Sequence, residues 1–442
     1  MRYTGSCRER KSTAALIENG GWKGAAAVDY DALLLLASDL GYGLLESGAE
    51  IYRVEESIQR LLLAYGVAEA DPFVIPNCIF VSFTTPGGAV KSQVRRTTAS
   101  HGTDVDQLEL YNGLCRRLCA EVPPLPQARR LLQEARDTRR SFSLPIVALS
   151  YLLGAAFFSL FFGGSARDAL CAGACGLVIG FCMAGLTWLH TNLFLKTMVC
   201  SALSAFTALA LTWTGLGEHS DLIIIGAFMA LVPGVMFTNS IRDIMAGDMM
   251  AGLSKLADAL LTGVALALGA ALALGVSQLL FPLPPSAAPA PWPYLLPVLF
   301  AFLGSGGFFA VYNIHTLVGT LICAFGGALG WLTYLLTAPL LHSDIAQTLA
   351  AAIVISAYAE VMSRLRKCPV TSYQLLALFP LVPGAGIYYT MEHAVSGDVT
   401  AFTSSLLHVL GVAGALAVGV LMVSSAVRMY ATFHHKKERM RP

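Results

Sequence analysis

Two stretches of this chain follow one pattern at a constant separation along the sequence. Residues 231–248 read LVPGVMFTNSIRDIMAGD, and residues 381–398 read LVPGAGIYYTMEHAVSGD. The Pro-Gly pairs of the two copies are 150 positions apart, and so are their final aspartates. A common offset at both ends of the motif indicates an internal repeat. The chain is therefore expected to contain two copies of one structural unit.

The repeat extends through ten apolar segments. A membrane crossing takes about 20 apolar residues. The ten candidates are 142–164, 168–189, 193–215, 221–238, 253–280, 292–313, 317–338, 345–363, 372–389 and 403–429. Adding 150 to each of the first five lands close to one of the second five. Identical residues at this offset are Gly154 and Gly304, Phe158 and Phe308, Gly176 and Gly326, Gly180 and Gly330, and Gly269 and Gly419.

The charged residues are concentrated before the first apolar segment. The chain is 55% hydrophobic and 13% charged, whereas a soluble domain carries about 25% charged residues. Residues 1–141 contain 17 Lys or Arg and 17 Asp or Glu, and the rest of the chain contains only 12 and 11. This partition predicts a soluble domain followed by a polytopic α-helical membrane domain. A net charge of +1 gives no reason to expect a nucleic-acid partner.

Lys and Arg placement predicts the orientation in the cell membrane. Arg136, Arg139 and Arg140 precede the first segment, and the C-terminal tail is also basic. Both termini are therefore expected in the cytoplasm after ten crossings. Since each repeat has five spans, the second must enter the membrane in the opposite sense. The predicted fold is ten transmembrane helices in two inverted five-helix repeats, an arrangement typical of secondary transporters.

The predicted organisation has six parts. They are a disordered N-terminus (1–28), a cytoplasmic α+β domain (29–141), membrane repeat 1 (142–280), a Pro/Ala-rich external linker (281–291), membrane repeat 2 (292–429) and a basic cytoplasmic tail (430–442). Within the α+β domain, apolar periodicity predicts two helices, a β-hairpin turning at PGG (86–88) and two further helices near 104–120 and 124–138.

The repeated motif should break a membrane helix in each copy. The fourth and ninth apolar segments are short, and Pro-Gly lies inside each of them. Proline removes a backbone donor and clashes with the preceding turn. The freed carbonyls cannot face lipid, so they must line a cavity or be covered by protein. Paired interrupted helices favour a transporter's substrate site; re-entrant hairpins or ordinary kinks are the alternative.

Polar residues cluster just after each break. The predicted substrate-binding residues are Pro233, Gly234, Thr238, Asn239 and Arg242 in the first copy and Pro383, Gly384, Tyr388 and Tyr389 in the second. A guanidinium suits a substrate carboxylate, and carboxylates or carbonyls suit an ammonium group. The predicted proton-coupling residues are Asp243, Asp248, Glu360, Glu392 and Asp398. For Glu360, an interfacial ion pair with a nearby arginine is an equal alternative.

Several other polar positions have a structural interpretation. Lys255 and Asp258 are three residues apart, which favours an intrahelical pair. Asn313 and His315 form a polar turn for which a simple loop is the default interpretation. In the soluble domain, the motif residues Ser47, Glu50, Arg53 and Glu55 lie close together. A structural ion-pair network is favoured there over catalysis.

Motifs for enzymatic chemistry are absent from the sequence. There is no Walker motif, no nucleophile elbow and no zinc signature, so neither an ATP-driven pump nor a catalytic site is predicted. The ten cysteines lack histidine partners at zinc spacing and are expected to be reduced packing residues. No metal, cofactor or catalytic residue is predicted, and the oligomeric state, including a homo-oligomer, is left open.

The combination of these motifs resembles the threonine/serine exporter (ThrE-type) family. The stretches are SGAEIYRVEESIQRLLLAYG, FVIPNCIFVSF, LVPGVMFTNSIRDIMAGDMMAGLSKLADAL and LVPGAGIYYTMEHAVSGD. The resemblance covers the chain from about residue 30. It implies ten spans, a cytoplasmic N-terminal domain and proton-driven efflux of small polar amino acids. The matching positions are Pro233, Gly234, Asn239, Arg242, Asp243, Gly247 and Asp248, and then Pro383, Gly384, Gly397 and Asp398.

The sequence thus predicts a secondary active exporter of threonine or serine that works by alternating access and proton antiport. Some family relatives, split into two chains, are linked to dicarboxylate export, so a succinate-like substrate is the nearest alternative. A passive channel and a membrane-tethered hydrolase are less favoured. The expected partners are a small-molecule substrate, protons and the lipid bilayer.

Overall fold

A computed structural model describes residues 28–97, 103–281 and 292–439 of the chain. The predicted disordered N-terminus, the linker after residue 281 and the last three residues lie outside the described residues. The N-terminal region contains helices α1 (Tyr30–Glu46) and α2 (Ile51–Ala64), strands β1 (Glu69–Ile75), β2 (Cys78–Thr84) and β3 (Val90–Arg96), and helices α3 (Val105–Glu121) and α4 (Leu125–Asp137).

The three strands form one antiparallel sheet in the order β1-β2-β3. Phe73 pairs with Phe80 and Val81 pairs with Gln93, which sets the register of the two hairpins. Along β2, Ile79, Val81 and Phe83 are buried while alternate residues are not, as the two-residue period of a strand requires. The buried face packs with α1 and α2 in one core. The predicted α+β pattern is confirmed in this region.

The rest of the described chain is helical. Its helices are α5 (Leu144–Phe161), α6 (Ala166–Trp188), α7 (Leu193–Trp213), α8 (Ser220–Phe228), α9 (Gly234–Ala246), α10 (Met249–Leu280), α11 (Leu296–Gly307), α12 (Leu317–Leu341), α13 (Asp344–Arg366), α14 (Val370–Ala377), α15 (Gly384–Ser396) and α16 (Val399–Arg439). A short 3₁₀ turn, Phe379–Leu381, lies between α14 and α15. The chain is a helical polytopic membrane protein.

Seven described helices are long and apolar enough to cross a membrane: α5, α6, α7, α10, α12, α13 and α16. An eighth is α14 with α15, counted as one span with a 44° bend. These match eight of the ten predicted segments. The other two, 221–238 and 292–313, are the interrupted pair α8–α9 and the short helix α11. The run GSGG ends α11 at Gly307, because glycine disfavours a helix interior.

Positions 150 residues apart make matching contacts between the two halves. A β-carbon on Gly154 would overlap the Phe308 ring, and one on Gly304 would lie 3.0 Å from the Phe158 ring. The two phenylalanine rings stack at 5.8 Å between centroids. Each small residue of one half thus accommodates the aromatic residue of the other. Helices α5 and α11 pack together through this exchange.

The N-terminal region contacts several turns at one end of the helical part. Asn313 donates a 2.8 Å hydrogen bond to Asp104, and His315 Nδ1 lies 2.8 Å from Asp106. The Arg116 guanidinium also donates to the Lys367 carbonyl. Asn313 and His315 do lie in a loop, as expected, and this loop is also a docking surface for α3.

Candidate functional site

The repeated motif does interrupt the helix in both halves. The first break separates α8 from α9, and Pro233 is the residue that precedes α9. The second break follows the 3₁₀ turn, and Pro383 precedes α15. After each short helix, Gly247 and Gly397 end it in the left-handed region, with φ of 101° and 79°. Only glycine adopts this conformation without steric cost, which explains the terminal Gly-Asp of the motif.

The breaks leave backbone acceptors free within the described part of the chain. The carbonyls of Ala230, Leu231 and Val232 accept no backbone hydrogen bond there, and neither do those of Pro380 and Leu381. Pro233 cannot donate to the carbonyl four residues earlier because it has no N–H. Such oxygens provide partial negative charge inside an otherwise apolar protein. They can accept hydrogen bonds from an ammonium or hydroxyl group.

The two breaks lie against each other. A β-carbon on Gly234 would overlap the Val382 side chain. One on Gly384 would lie 3.3 Å from Val232 and 3.2 Å from the Met229 sulfur. These contacts are reciprocal, since Val232 and Val382 are themselves 150 residues apart. The sequence-predicted residues Pro233, Gly234, Pro383 and Gly384 are thus brought together at one place.

The polar side chains after the first break form a charged group that we call the first-break cluster: Glu50, Arg53, Arg242, Asp243 and Lys255. Arg242 Nη1 lies 2.7 Å from a Glu50 oxygen, and Arg242 Nη2 lies 3.5 Å from Asp243. Lys255 donates a 2.6 Å hydrogen bond to Asp243. Arg53 approaches Glu50 at 3.6 Å. The cluster therefore joins α2 of the N-terminal region to α9 and α10.

Burial makes these charges depend on one another. Glu50, Arg242 and Asp243 are 7%, 8% and 5% exposed. Burial opposes ionisation of Glu50, but the charges of Arg242 and then Arg53 outweigh it and hold the Glu50 pKa below its ordinary value. Glu50 is therefore an ionised carboxylate. It pairs with the Arg242 guanidinium, which the sequence predicted to bind the substrate.

Buried polar atoms without a described hydrogen-bond partner lie within this cluster and on Thr238 of the same helix as Arg242. Among the described residues, Thr238 Oγ1, Glu50 Oε2 and Arg53 Nε are buried without a hydrogen-bond partner. Asn239 follows Thr238 and is half-buried. Buried polar atoms without protein partners cost free energy, so these three can take a further polar partner. The predicted residues Thr238 and Asn239 thus lie at the polar end of the break.

Three neighbours of the cluster, and its member Lys255, were not assigned to it from the sequence. The Arg428 guanidinium lies 5.1 Å from the centre of the Tyr52 ring. Lys255 pairs with Asp243 on the preceding helix, so the expected pair with Asp258 on its own helix is wrong. Tyr52 lies between two motif residues, which is the only sequence signal for it. Glu360 is half-buried and within electrostatic range of Arg364, Arg53 and Arg428.

Two members of the soluble motif are not part of the cluster. The Ser47 hydroxyl donates a 2.7 Å hydrogen bond to the Gly43 carbonyl at the end of α1. Glu55 accepts a 2.9 Å hydrogen bond from the Val74 N–H on β1. Both contacts stabilise local structure. The network expected among Ser47, Glu50, Arg53 and Glu55 is thus reduced to the Glu50–Arg53 pair, extended by Arg242.

The polar residues after the second break form the second-break cluster: Tyr388, Tyr389, Glu392 and His393. The rings of Tyr388 and Tyr389 lie 5.3 Å apart, and Tyr388 meets Phe228 of α8 edge-on at 5.5 Å. Both tyrosines lie within electrostatic range of Glu392 and of Asp221 at the start of α8. This cluster is tyrosine-rich and acidic, whereas the first is a network of ion pairs.

The aspartates that close the two motifs differ in environment. Asp248, in the turn between α9 and α10, is half-buried, and its pKa is raised first by burial and then by the charge of Asp243. Asp398 is exposed and accepts a 2.9 Å hydrogen bond from the Ala401 N–H as a helix cap. A carboxyl group with a raised pKa, such as Asp248, exchanges protons closer to neutral pH.

One group of donor atoms among the described residues has the spacing of a metal site: Asp168, Glu218 and His219. Its geometry fits a structural role instead. One Asp168 oxygen accepts the N–H groups of Glu218 and His219, and the other accepts that of Ser165 and meets His219 Nδ1 at 2.7 Å. Both oxygens are therefore used in connecting α6 to the start of α8.

Comparisons with known proteins agree on one family. Residues 36–277 match the ThrE family of threonine/serine exporters, and residues 297–426 match a second ThrE model, also described as a threonine/serine exporter. The chain is 21% identical over 405 residues to the threonine/serine exporter of Corynebacterium glutamicum, covering 88% of this chain and 81% of that protein. A probable threonine/serine exporter of Mycobacterium tuberculosis is 21% identical over 392 residues, covering 86% and 73%. No solved structure gives a significant match.

Proposed function

The chain belongs to the threonine/serine exporter family, and from this premise we propose that it exports threonine, serine or a similar small polar amino acid across the cell membrane. Membership of a transporter family implies that it is not an enzyme. The observation that carries the proposal is a buried guanidinium, that of Arg242, with the Asp243 carboxylate 3.5 Å away on the short helix that follows a helix break. Such a site can bind the carboxylate and ammonium groups of an amino acid together.

The proposed architecture is ten crossings in two inverted five-helix halves, with α8–α9 and α11 among the crossings. Reciprocal contacts at positions 150 apart support a two-fold relation between the halves. The turns that contact the N-terminal region, near 313–315 and 367, both fall on the cytoplasmic side of a ten-span count. Residues 29–141 then form a cytoplasmic domain. Epitope tags inserted at Gly163 and Lys367 should lie on opposite sides of the membrane; tags on one side would contradict this topology.

The substrate site is proposed at the meeting of the two breaks. Arg242 and Asn239 bind the carboxylate, Asp243 binds the ammonium group, and the carbonyls near Gly234 and Gly384 complete the site. The hydroxyls of Thr238, Tyr388 and Tyr389 face the substrate hydroxyl, with Pro233 and Pro383 holding the breaks open. Buried Thr238 Oγ1, which has no partner among the described residues, supports its place in the site.

Glu50 closes this site from the cytoplasmic side in the proposed cycle. Its carboxylate has the same charge and shape as that of an amino acid, and it occupies Arg242 at 2.7 Å. A buried ion pair contributes little net stability, because desolvation of both charges offsets their attraction. An incoming carboxylate can therefore replace Glu50 at small net cost. After the exchange, Arg53 remains as an ion-pair partner for Glu50. Ser47 and Glu55 stabilise the local structure around α2.

Proton antiport is proposed as the driving force. Asp248 is supported by burial beside Asp243, which favours protonation. Asp243 can exchange its Lys255 partner for a proton or an ammonium group. Glu360, Glu392 and Asp398, all in the second half, complete the candidate proton path, and Glu360 lies beside the first-break cluster.

Reconstitution tests the function directly. In proteoliposomes with an imposed pH gradient, labelled threonine or serine should move uphill, and a protonophore should abolish the movement. Uphill movement of succinate without threonine or serine would replace the substrate assignment with a dicarboxylate. Uphill movement of none of the three would contradict an exporter of these substrates and favour a channel. Hydrolase activity that is retained after removal of residues 142–442 would favour a tethered hydrolase.

A further inference from the structure

A cleft in the N-terminal region lies apart from the transport site. It is a cavity of about 450 Å³ between α1, β3, α3 and α4, and four arginines line it: Arg95, Arg129, Arg130 and Arg136. We call it the arginine cleft. Asp39 and Glu46 are the acidic residues in its lining, so the side chains facing the cavity carry a net charge of +2. A volume of several hundred Å³ is typical of small-molecule sites.

The arginines of the cleft are only partly neutralised. Arg95 pairs with Asp39 and also covers the Tyr42 ring at 4.3 Å. Arg129 donates a 3.2 Å hydrogen bond to the Ala32 carbonyl. Within the described ranges, Arg130 and Arg136 make no ion pair and no side-chain hydrogen bond. Two guanidinium groups thus face the cavity with their donors available.

Electrostatic repulsion within the cleft supports the same conclusion. Burial, and then the charge of Arg136, lower the pKa of Arg95 below its ordinary value. The guanidinium groups of Arg95 and Arg136 therefore repel each other, and an anion between them would relieve this repulsion. Among the described residues, Asp39 and Glu46 supply the carboxylates that line this cavity.

A smaller cavity of about 190 Å³ continues the arginine cleft toward the membrane part. Both cavities are lined by Glu46, Tyr111 and Arg136. The smaller one also contains Asp104, which accepts from Asn313 at 2.8 Å and lies 3.4 Å from Arg139. A ligand long enough to fill both would reach the residues that dock the region onto the helices.

We propose that the arginine cleft binds a phosphate-bearing anion, either a soluble metabolite or a lipid headgroup. The planar guanidinium fork matches phosphate oxygens in pairs, and several forks around one cavity suit an anion with more than one negative charge. Tyr111, whose ring packs against Gly43, adds a hydroxyl at the junction of the two cavities. The site is separate from the transport pathway, so its test does not depend on the proposed function.

Calorimetric titration of the purified full chain with inorganic pyrophosphate tests the proposal. Saturable binding is expected, and Arg130→Gln and Arg136→Gln should each weaken it about tenfold, as loss of a hydrogen bond to a charged group implies. Arg117→Gln is the matched control, because Arg117 is an exposed arginine of α3 that pairs with Glu121 outside the cleft. Arg130 and Arg136 are exposed, so an unchanged unfolding temperature should confirm that the variants fold.

Two arms of the titration distinguish the ligand sources. In nanodiscs of phosphatidylcholine alone, pyrophosphate should bind as in detergent. If phosphatidylglycerol nanodiscs weaken pyrophosphate binding at the same ionic strength, the lipid headgroup occupies the cleft; if they do not, the ligand is soluble. Absence of saturable binding in the wild type, or equal binding by wild type and both cleft variants, would overturn the proposal.

Discussion

The two breaks have the same backbone arrangement but different side chains. Both begin with Pro-Gly and end with Gly-Asp, and both short helices have 13 residues. Between these ends, equivalent positions carry different side chains. The pairs 150 residues apart are Thr238 and Tyr388, Asn239 and Tyr389, Arg242 and Glu392, Asp243 and His393, and Lys255 and Ser405. At Arg242 and Glu392 the charge is reversed.

The difference follows from what each cluster faces. The first-break cluster meets the N-terminal region, whose Glu50 supplies the counter-charge for Arg242. The second-break cluster meets Asp221 and Phe228 of α8. A duplicated backbone can keep its break because proline and glycine determine it locally. The side chains diverge because, among the described residues, only the cluster at the first break forms ion pairs with the N-terminal region.

The largest expected effect comes from removing the central charge of the first-break cluster. Arg242→Gln leaves Glu50 and Asp243 as buried carboxylates without their guanidinium, so we expect a loss of about 3–5 kcal/mol in the free energy of unfolding. Transport of threonine or serine should fall to background. Thermal unfolding in detergent and uptake in proteoliposomes measure the two effects.

The equivalent change in the other half is the control. Glu392 is half-buried, and no ion pair of Glu392 is found in the part of the chain that the structure describes. Glu392→Gln should therefore change the free energy of unfolding by less than about 0.5 kcal/mol. Equal destabilisation by both variants would show that the two clusters do not differ as described.

The second prediction concerns acid sensitivity of the first-break cluster. The Glu50 pKa is lower in the folded protein than in the unfolded chain, so its contribution to stability is complete above the unfolded value, 4.5. It is lost as the pH falls from there through the folded value. Acid should therefore separate the N-terminal region from α9. Hydrogen exchange of α2 and α9 should rise below about pH 4.5, the range in which glutamate titrates.

Glu50→Gln should remove this pH dependence while leaving a smaller constant loss, since glutamine still donates or accepts one hydrogen bond. The loss of stability should be less than that of Arg242→Gln, which leaves two buried carboxylates without the guanidinium that pairs with both. Among the described residues, the second-break cluster has no ion-pair partner from the N-terminal region, so exchange of α15 should not follow the same pH curve. A common curve for α9 and α15 would count against a local origin.

The third and smallest effect concerns the packing of the breaks. Gly234→Ala would place a methyl group against the branched side chain of Val382, and we expect a cost of about 1–3 kcal/mol from overpacking. Gly384→Ala meets Met229 and Val232 at 3.2 and 3.3 Å, and the flexible methionine can move. Its cost should be below about 1 kcal/mol. Denaturation of the two variants side by side measures the asymmetry.

Gly247→Ala and Gly397→Ala are the matched symmetric pair. Each glycine has a positive φ and no atom within 4 Å of an added β-carbon, so only backbone strain is introduced. Both should cost about 1 kcal/mol. A clear difference between these two would mean that the halves respond unequally to strain in general, and the comparison of Gly234 with Gly384 would then lose its meaning.

Features governed by neighbouring residues could be predicted from the sequence. Pro233 and Pro383 interrupt their helices because a proline lacks an N–H and clashes with the preceding turn. Gly247 and Gly397 end the short helices because only glycine adopts positive φ freely. The three-stranded sheet and its flanking helices follow from alternation and periodicity. The family resemblance rests on the same local motifs.

Features governed by distant residues could not be predicted. Glu50 and Arg242 are 192 positions apart and approach only when α2 docks on α9. Lys255 on α10 pairs with Asp243 on α9 and not with Asp258 on its own helix. The arginine cleft collects side chains from four elements, with no spacing that marks it in the sequence.

The sequence alone therefore determined where the backbone breaks, because steric restrictions act between adjacent residues. The tertiary structure decided which charges meet at the break. A buried charge is stable only beside a partner of opposite sign, and that partner can come from any part of the chain that folding brings within a few ångströms.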